Sequence, residues 1–149
     1  MQRSFAPGST SRVIVGDSRQ APWGDEQFDR VLVDAPCTGL GALRRRPESR
    51  WRRTTADLAA LGGTQRDLLR SAIDAARPGG VVAYATCSPH LAETEFVVSD
   101  VLKGRSDAGL EDARALLPEV ADLGDGPTVQ LWPHRHGTDG MFLAVVRRR

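Results

Sequence analysis

The apolar positions of this chain fall in short continuous runs, not alternating ones. Val13-Ile14-Val15 stops at Gly16-Asp17, and Arg30-Val31-Leu32-Val33 stops at Asp34-Ala35-Pro36. Val81-Val82-Ala83-Tyr84-Ala85 is entered through Pro78-Gly79-Gly80 and left at Thr86-Cys87-Ser88-Pro89. Continuous runs of this length suit parallel strands buried on both faces. Between the second and third runs, Leu58, Leu61, Leu68, Leu69 and Ile73 recur near helical spacing, with Thr54 or Thr55 placed to cap the helix. Gly62-Gly63 in its middle predicts a break into two helices. Ala92 to Leu102 predicts a helix after the third strand, and Leu110 to Leu117 a shorter one. Val129 to Trp132 and Met141 to Val146 predict two antiparallel strands joined through Pro133 to Gly140. Residues 1–12, rich in Ser, Gly, Pro and Arg and without period, predict a loose arm ahead of a single unit, 13–149. Only Gly124-Asp125-Gly126-Pro127 interrupts that unit.

Strands alternating with helices argue for a doubly wound α/β domain, and such sheets gather their ligands at the carboxyl ends of the strands. Those ends carry Asp17, Asp34-Ala35-Pro36-Cys37 and Thr86-Cys87-Ser88-Pro89, so acids and thiols far apart in sequence are expected to converge on one crevice. Composition leaves this picture intact. The 149 residues are 40% hydrophobic and 26% charged, which fits one globular domain and excludes collagen-like and wholly disordered classes. Net charge is only +1, but residues 44–53 hold six arginines and one tryptophan. Arg44, Arg45, Arg46, Arg50, Trp51 and Arg52 are therefore candidates for RNA contact, the guanidiniums on phosphates and the indole in stacking. A merely solvated charged face is the plain alternative. Two cysteines are too few for the disulfide framework of a small secreted domain. No apolar run approaches the roughly 18 residues of a membrane span. The expected setting is the cytoplasm, with both thiols reduced. Two isolated thiols lack the paired spacing of a metal site, and His134 and His136 read as a polar turn.

Asp34-Ala35-Pro36-Cys37-Thr38-Gly39 and Thr86-Cys87-Ser88-Pro89 together resemble one family, the RNA cytosine-5 methyltransferases of the NOL1/NOP2/Sun (Fmu) type. The resemblance extends from Val13 over nearly the whole chain. It takes in Pro47 and Trp51 of the basic run, Gln65, Pro78-Gly79-Gly80, Glu93-Thr94-Glu95 and the closing Thr138-Asp139-Gly140-Met141-Phe142. It implies methylation of cytosine in RNA, with 16S ribosomal RNA as the expected substrate and S-adenosyl-L-methionine as the donor. By the same resemblance Cys87 is the nucleophile, and Cys37 assists release and takes the carbon 5 proton. Asp34 binds the cytosine edge and the donor, Pro36 shapes the turn and Asp17 contacts the donor's adenine end.

The family's sheet runs in the order 3-2-1-4-5-7-6. By resemblance this chain carries the C-terminal portion of that partial Rossmann-like fold, strands 3 to 7, and lacks strands 1 and 2 with their glycine-rich loop and ribose acid. The donor site is then incomplete, and the chain alone is expected to be inactive or feeble. Strand 4 is expected to show an unpaired apolar edge. Strand 3 would dock beside it, or a second copy of the chain would cover it as a homodimer. Two rivals stand beside the enzyme reading. One is a non-catalytic RNA-binding or assembly module that retains the fold. The other is an amino-group methyltransferase, which Asp34-Ala35-Pro36-Cys37 fits poorly and in which Cys87 has no task.

Overall fold

The computed structural model describes residues 11–149, so most of the expected N-terminal arm lies outside the described residues. Five strands form one sheet: β1 (Phe28–Asp34), β2 (Ala76–Thr86), β3 (Ala108–Glu111), β4 (Val129–Gln130) and β5 (Phe142–Arg148). The helices are α1 (Ser49–Arg52), α2 (Thr55–Ala75), α3 (Glu95–Leu102) and α4 (Pro133–His136). The sheet order is β1-β2-β5-β3, with β4 paired to β5. β1 and β2 are parallel, joined through α2, and β5 returns antiparallel between β2 and β3. This matches the 4-5-7-6 half of the order expected above.

Each element follows from its residues. Thr54 and Asp57 form a reciprocal capping box at the start of α2. That helix buries Leu69, Ala72 and Ile73 against Val82 and Tyr84 of β2, Val97, Val98 and Val101 of α3, and Phe142, Ala144 and Val146 of β5. The opposite face of the sheet packs Val145 with Val129, Ala113 and Leu123.

Four expectations are corrected. α2 runs unbroken through Gly62-Gly63, because Gly62 leaves room beneath Arg66, whose guanidinium bonds Asp100 of α3 at 2.7 and 2.9 Å. The helix after the third strand is split at Thr94, since the Glu93 carbonyl accepts the Tyr84 hydroxyl instead of a helical N–H. Ala108–Glu111 pairs along β5 as a strand, followed by a 3-10 turn at Ala113–Leu116 that ends ahead of Pro118. The second face of the sheet is thus covered by this turn and the following irregular segment. Val13-Ile14-Val15 is not a strand and pairs with neither β1 nor any other described strand; it is exposed, Val15 by 96%, and Val13 and Ile14 meet Trp23 and Phe28 only across an open surface hollow.

β1 therefore ends the sheet with an open side among the described residues. Beside it runs an apolar groove lined by Trp23, Phe28, Val31, Leu32 and Leu68, with Leu32 71% exposed. Open apolar edges recruit further strands. Sedimentation is expected to give a mass that rises with concentration, and Leu32→Lys to return the chain to monomer. A wild-type chain that stays monomeric at every concentration would count against self-pairing along this edge.

Candidate functional site

Parallel pairing sets Asp34 opposite Ala85, and the Ala35 N–H bonds the Ala85 carbonyl at 3.0 Å. The two chain segments therefore leave the same edge of the sheet side by side. Three residues beyond Asp34 stands Cys37, and one beyond Thr86 stands Cys87. Their Sγ atoms are 3.4 Å apart, both thiols are free and half-buried, and both line one cleft of about 430 Å³ with Asp34, Pro36, Arg45, Arg46, Ser49 and Arg53. The expected catalytic set thus meets in one place.

The thiols do not share one environment. Burial, then the neighbouring Cys87, push the Cys37 thiol far above the ordinary range, while backbone N–H groups of Gly39 and Cys87 pull weakly the other way. Cys37 therefore holds its proton tightly. Its turn is held from beneath: Thr38 donates its N–H and hydroxyl to the buried Glu93 carboxylate at 2.8 and 2.5 Å, and Gln65 donates to the Pro36 carbonyl at 2.8 Å. The φ of +73° at Gly39 closes that turn.

The wall above the thiols is basic. Arg44 and Arg45 both grip Asp139 from the loop before β5, Arg44 at 2.8 Å, and their guanidiniums hold that carboxyl below the usual range. Arg53 bonds the Thr38 carbonyl at 3.0 Å. Gly41 stitches three loops: its N–H bonds the Cys87 carbonyl at 2.9 Å and its own carbonyl accepts the Gly140 N–H at 2.8 Å. Arg50, Trp51 and Arg52 lie on α1 facing solvent, with Trp51 83% exposed.

Asp17 is placed elsewhere. It caps the 3-10 turn Ser18–Gln20 and pairs with Arg19 at 2.6 Å, which draws its carboxyl down to about 2. It is not among the residues lining the thiol cleft. Asp34 does reach both spaces, lining the cleft and the end of the apolar groove along β1. Sequence reasoning gave no role to Gly41, Gln65, Glu93, Asp139 or Arg53. Gln65, Glu93 and Asp139 stood within the resembling segments, yet nothing in one sequence tells which groups they face.

This sheet, with a thiol at the end of each of two adjacent parallel strands, is the C-terminal half of a methyltransferase fold. The chain belongs to the 16S rRNA methyltransferase RsmB/F family, whose model matches residues 7–147. A Mycobacterium tuberculosis protein named as a methyltransferase is 64% identical over 124 residues, covering 83% of this chain and 27% of that protein. Ribosomal RNA small subunit methyltransferase B of Vibrio cholerae is 37% identical over 142 residues, covering 94% and 31%. The crystal structure of NSun6 from Pyrococcus horikoshii with SFG superposes with a TM-score of 0.76 at 30% identity, covering 92% of this chain and 34% of that one. The chain spans about a third of the length of these relatives.

The close approach at Gly41 leaves no room for a side chain: a Cβ there would meet the Gly140 carbonyl oxygen at 1.9 Å. Gly41→Ala must push the two backbones apart, so a cost near the upper end of overpacking, about 3 kcal/mol, is expected. At this chain length that is a fall of roughly 6–12 °C in Tm by calorimetry, and an unchanged Tm would refute the stitch. Alkylation with iodoacetamide at pH 8, mapped by mass, is expected to leave Cys37 slower than a free cysteine by about tenfold. Equal rates would contradict the protonated, buried thiol.

Proposed function

We propose that this chain supplies the thiol chemistry of an enzyme that methylates carbon 5 of a cytosine in RNA, with 16S ribosomal RNA as the substrate. The observation that carries it is the 3.4 Å approach of Cys37 and Cys87 in a cleft shared with Asp34 and walled by arginines. In this reading the Cys87 thiolate adds to carbon 6 of the ring. The displaced electron pair moves to N3, which takes up a proton carried by the Asp34 carboxyl, and carbon 5 becomes electron-rich. S-adenosyl-L-methionine, when bound, supplies the methyl group that carbon 5 takes up. Cys37, which gives up its own proton to solvent once Cys87 is bonded to the ring, then accepts the carbon 5 proton as thiolate. The electron pair left on carbon 5 restores the ring double bond as the carbon–sulfur bond breaks, and Cys87 leaves with that bond's electrons as thiolate. Reaching a base in folded RNA requires swinging it out of the stack. Arg45, Arg46 and Arg53 wall the cleft, Arg44, Arg50 and Arg52 extend the basic surface, and Trp51 offers an exposed stacking face.

The described residues fit the donor only partly. A molecule laid along the apolar groove beside β1 meets Asp34 and so reaches the cleft, with Pro36 at its mouth. Asp17 serves only if its pair with Arg19 opens. Among the described residues the donor site is therefore partial, and calorimetric titration of the 149-residue chain with S-adenosyl-L-methionine is expected to show weak binding or none. Tight binding would mean that the groove suffices.

The rival reading, a module that holds RNA without chemistry, uses the arginine wall but has no task for the thiol pair. RNA containing 5-fluorocytosine separates the two, because carbon 5 then has no proton to lose and the adduct persists. In a chain completed upstream with the corresponding segment of the mycobacterial relative, a covalent adduct through Cys87 is expected. Cys87→Ala should abolish it, and Cys37→Ala should let the adduct with ordinary RNA accumulate. Adduct formation indifferent to Cys87→Ala would leave the module reading standing.

A further inference from the structure

We infer that Glu93 is a positioning residue for Cys37, setting the sulfur that completes the reaction against the sulfur that begins it. The inference rests on the roles proposed above for the two thiols. Cys37 stands between Pro36 and Thr38, and both neighbours are held by one buried polar group. The Glu93 carboxylate, wholly buried, accepts the Thr38 N–H at 2.8 Å and the Thr38 hydroxyl at 2.5 Å. Gln65 Nε2 donates to the same carboxylate at 3.2 Å and to the Pro36 carbonyl at 2.8 Å. The Tyr84 hydroxyl donates to the Glu93 carbonyl at 2.9 Å and so fixes the backbone that carries the carboxylate.

Two features distinguish this group from ordinary core packing. Among the described residues Glu93 forms no ion pair, so its carboxylate is neutralised by neutral donors alone, and burying it that way is unfavourable unless the donors are held in place. Gln65 is wholly buried as well and leaves its Oε1 without a hydrogen-bond partner. Its position is set by what its amino end does, which is to join Glu93 to the Pro36 carbonyl. Hydrogen bonds thus converge on the residues flanking Cys37 from both sides, in a turn whose next residue is the flexible Gly39. Arg53 on the Thr38 carbonyl and the N–H groups of Gly39 and Cys87 beside the sulfur add to this hold, but only the buried Glu93 and Gln65 pair grips both neighbours of Cys37.

Disulfide formation measures that approach directly. Diamide takes one hydrogen from each thiol, is itself reduced to the hydrazine, and leaves a Cys37–Cys87 bond only where the sulfurs can meet. In the 149-residue chain oxidation is expected to be fast, and in Glu93→Leu slower by about tenfold. Glu93→Gln, which keeps an acceptor for the Thr38 N–H, should stay within about threefold of the wild-type rate. Iodoacetamide alkylation of Cys87 should be the same in all three, which a general loosening of the fold would not allow. A wild-type chain that forms no internal disulfide, or a folded Glu93→Leu that oxidises at the wild-type rate, overturns the inference. If circular dichroism shows Glu93→Leu unfolded, Thr38→Val decides by the same measurement, slower oxidation supporting the inference and an unchanged rate overturning it. In the completed chain Glu93→Leu should accumulate the RNA adduct as Cys37→Ala does. Should Cys37→Ala itself accumulate none, the role given to Cys37 fails, and the diamide rates alone judge the positioning.

Discussion

Everything at this site depends on the parallel pairing of β1 with β2. Antiparallel neighbours would send their ends to opposite edges of the sheet; parallel ones deliver both to the same edge. The register Asp34 to Ala85, extended by the bond between Ala35 and Ala85, brings together two cysteines 50 residues apart. A slip of one residue would turn every side chain of β1 to the other face. The core resists that slip, because Val31 and Val33 of β1 pack against the cluster that Val82 and Tyr84 form with α2 and α3. The helix α2 both makes the parallel crossover and contributes Gln65 to the floor of the site, so the element that joins the strands also fixes what lies at their ends.

Two carboxylates hold the site by opposite means. Asp139 is largely buried and is satisfied by two guanidiniums that keep half or more of their own surface in water. Salt screens the exposed guanidiniums, whereas the buried carboxylate would be costly to leave unpaired. The effect of the two pairs is to aim Arg44 and Arg45, holding the basic run against the loop before β5. Glu93 lies beneath and is satisfied by neutral donors out of reach of solvent and salt. The upper layer is adjustable and suited to a large charged partner, and the lower layer is stiff. Cys37 lies between them, tied to the stiff layer, while Gly41 binds the backbones of the cysteine loops to the loop of Asp139.

The strands with a local cause, and the thiols at their ends, were legible in the sequence. Continuous apolar runs marked β1 and β2, and Thr54 marked the start of α2. What failed depended on distant partners. Val13-Ile14-Val15 has the composition of a strand, but a strand exists only beside another. Gly62-Gly63 has the composition of a break, but Arg66 reaching Asp100 uses the space the glycines leave. Leu110 to Leu117 has helical spacing, but its first residues serve the free side of β5 better. The site divides the same way. Cys37, Cys87 and Asp34 could be read from motif and position. Asp17 had a local competitor two residues on, Arg19, and that pairing prevails in the structure. Glu93 and Asp139 gave no local sign of which layer each would enter.

The causes that hold the proton on Cys37 argue for an order of events in the proposed reaction. Cys37 is held protonated first by burial and then by its neighbour Cys87. The second cause is removable. Once Cys87 is bonded to a ring carbon in the proposed reaction, it is a neutral thioether and carries no charge to oppose ionisation beside it. Burial and the backbone N–H groups of Gly39 and Cys87 then remain, and the N–H groups favour the thiolate. Cys37 thus becomes easier to ionise at the stage when a proton must leave carbon 5. Before that stage of the proposed reaction, its protonated form would keep it from competing with Cys87 for the ring. Two chemically identical side chains, set 3.4 Å apart, can in this way be kept to successive tasks by the charge state of one controlling the other.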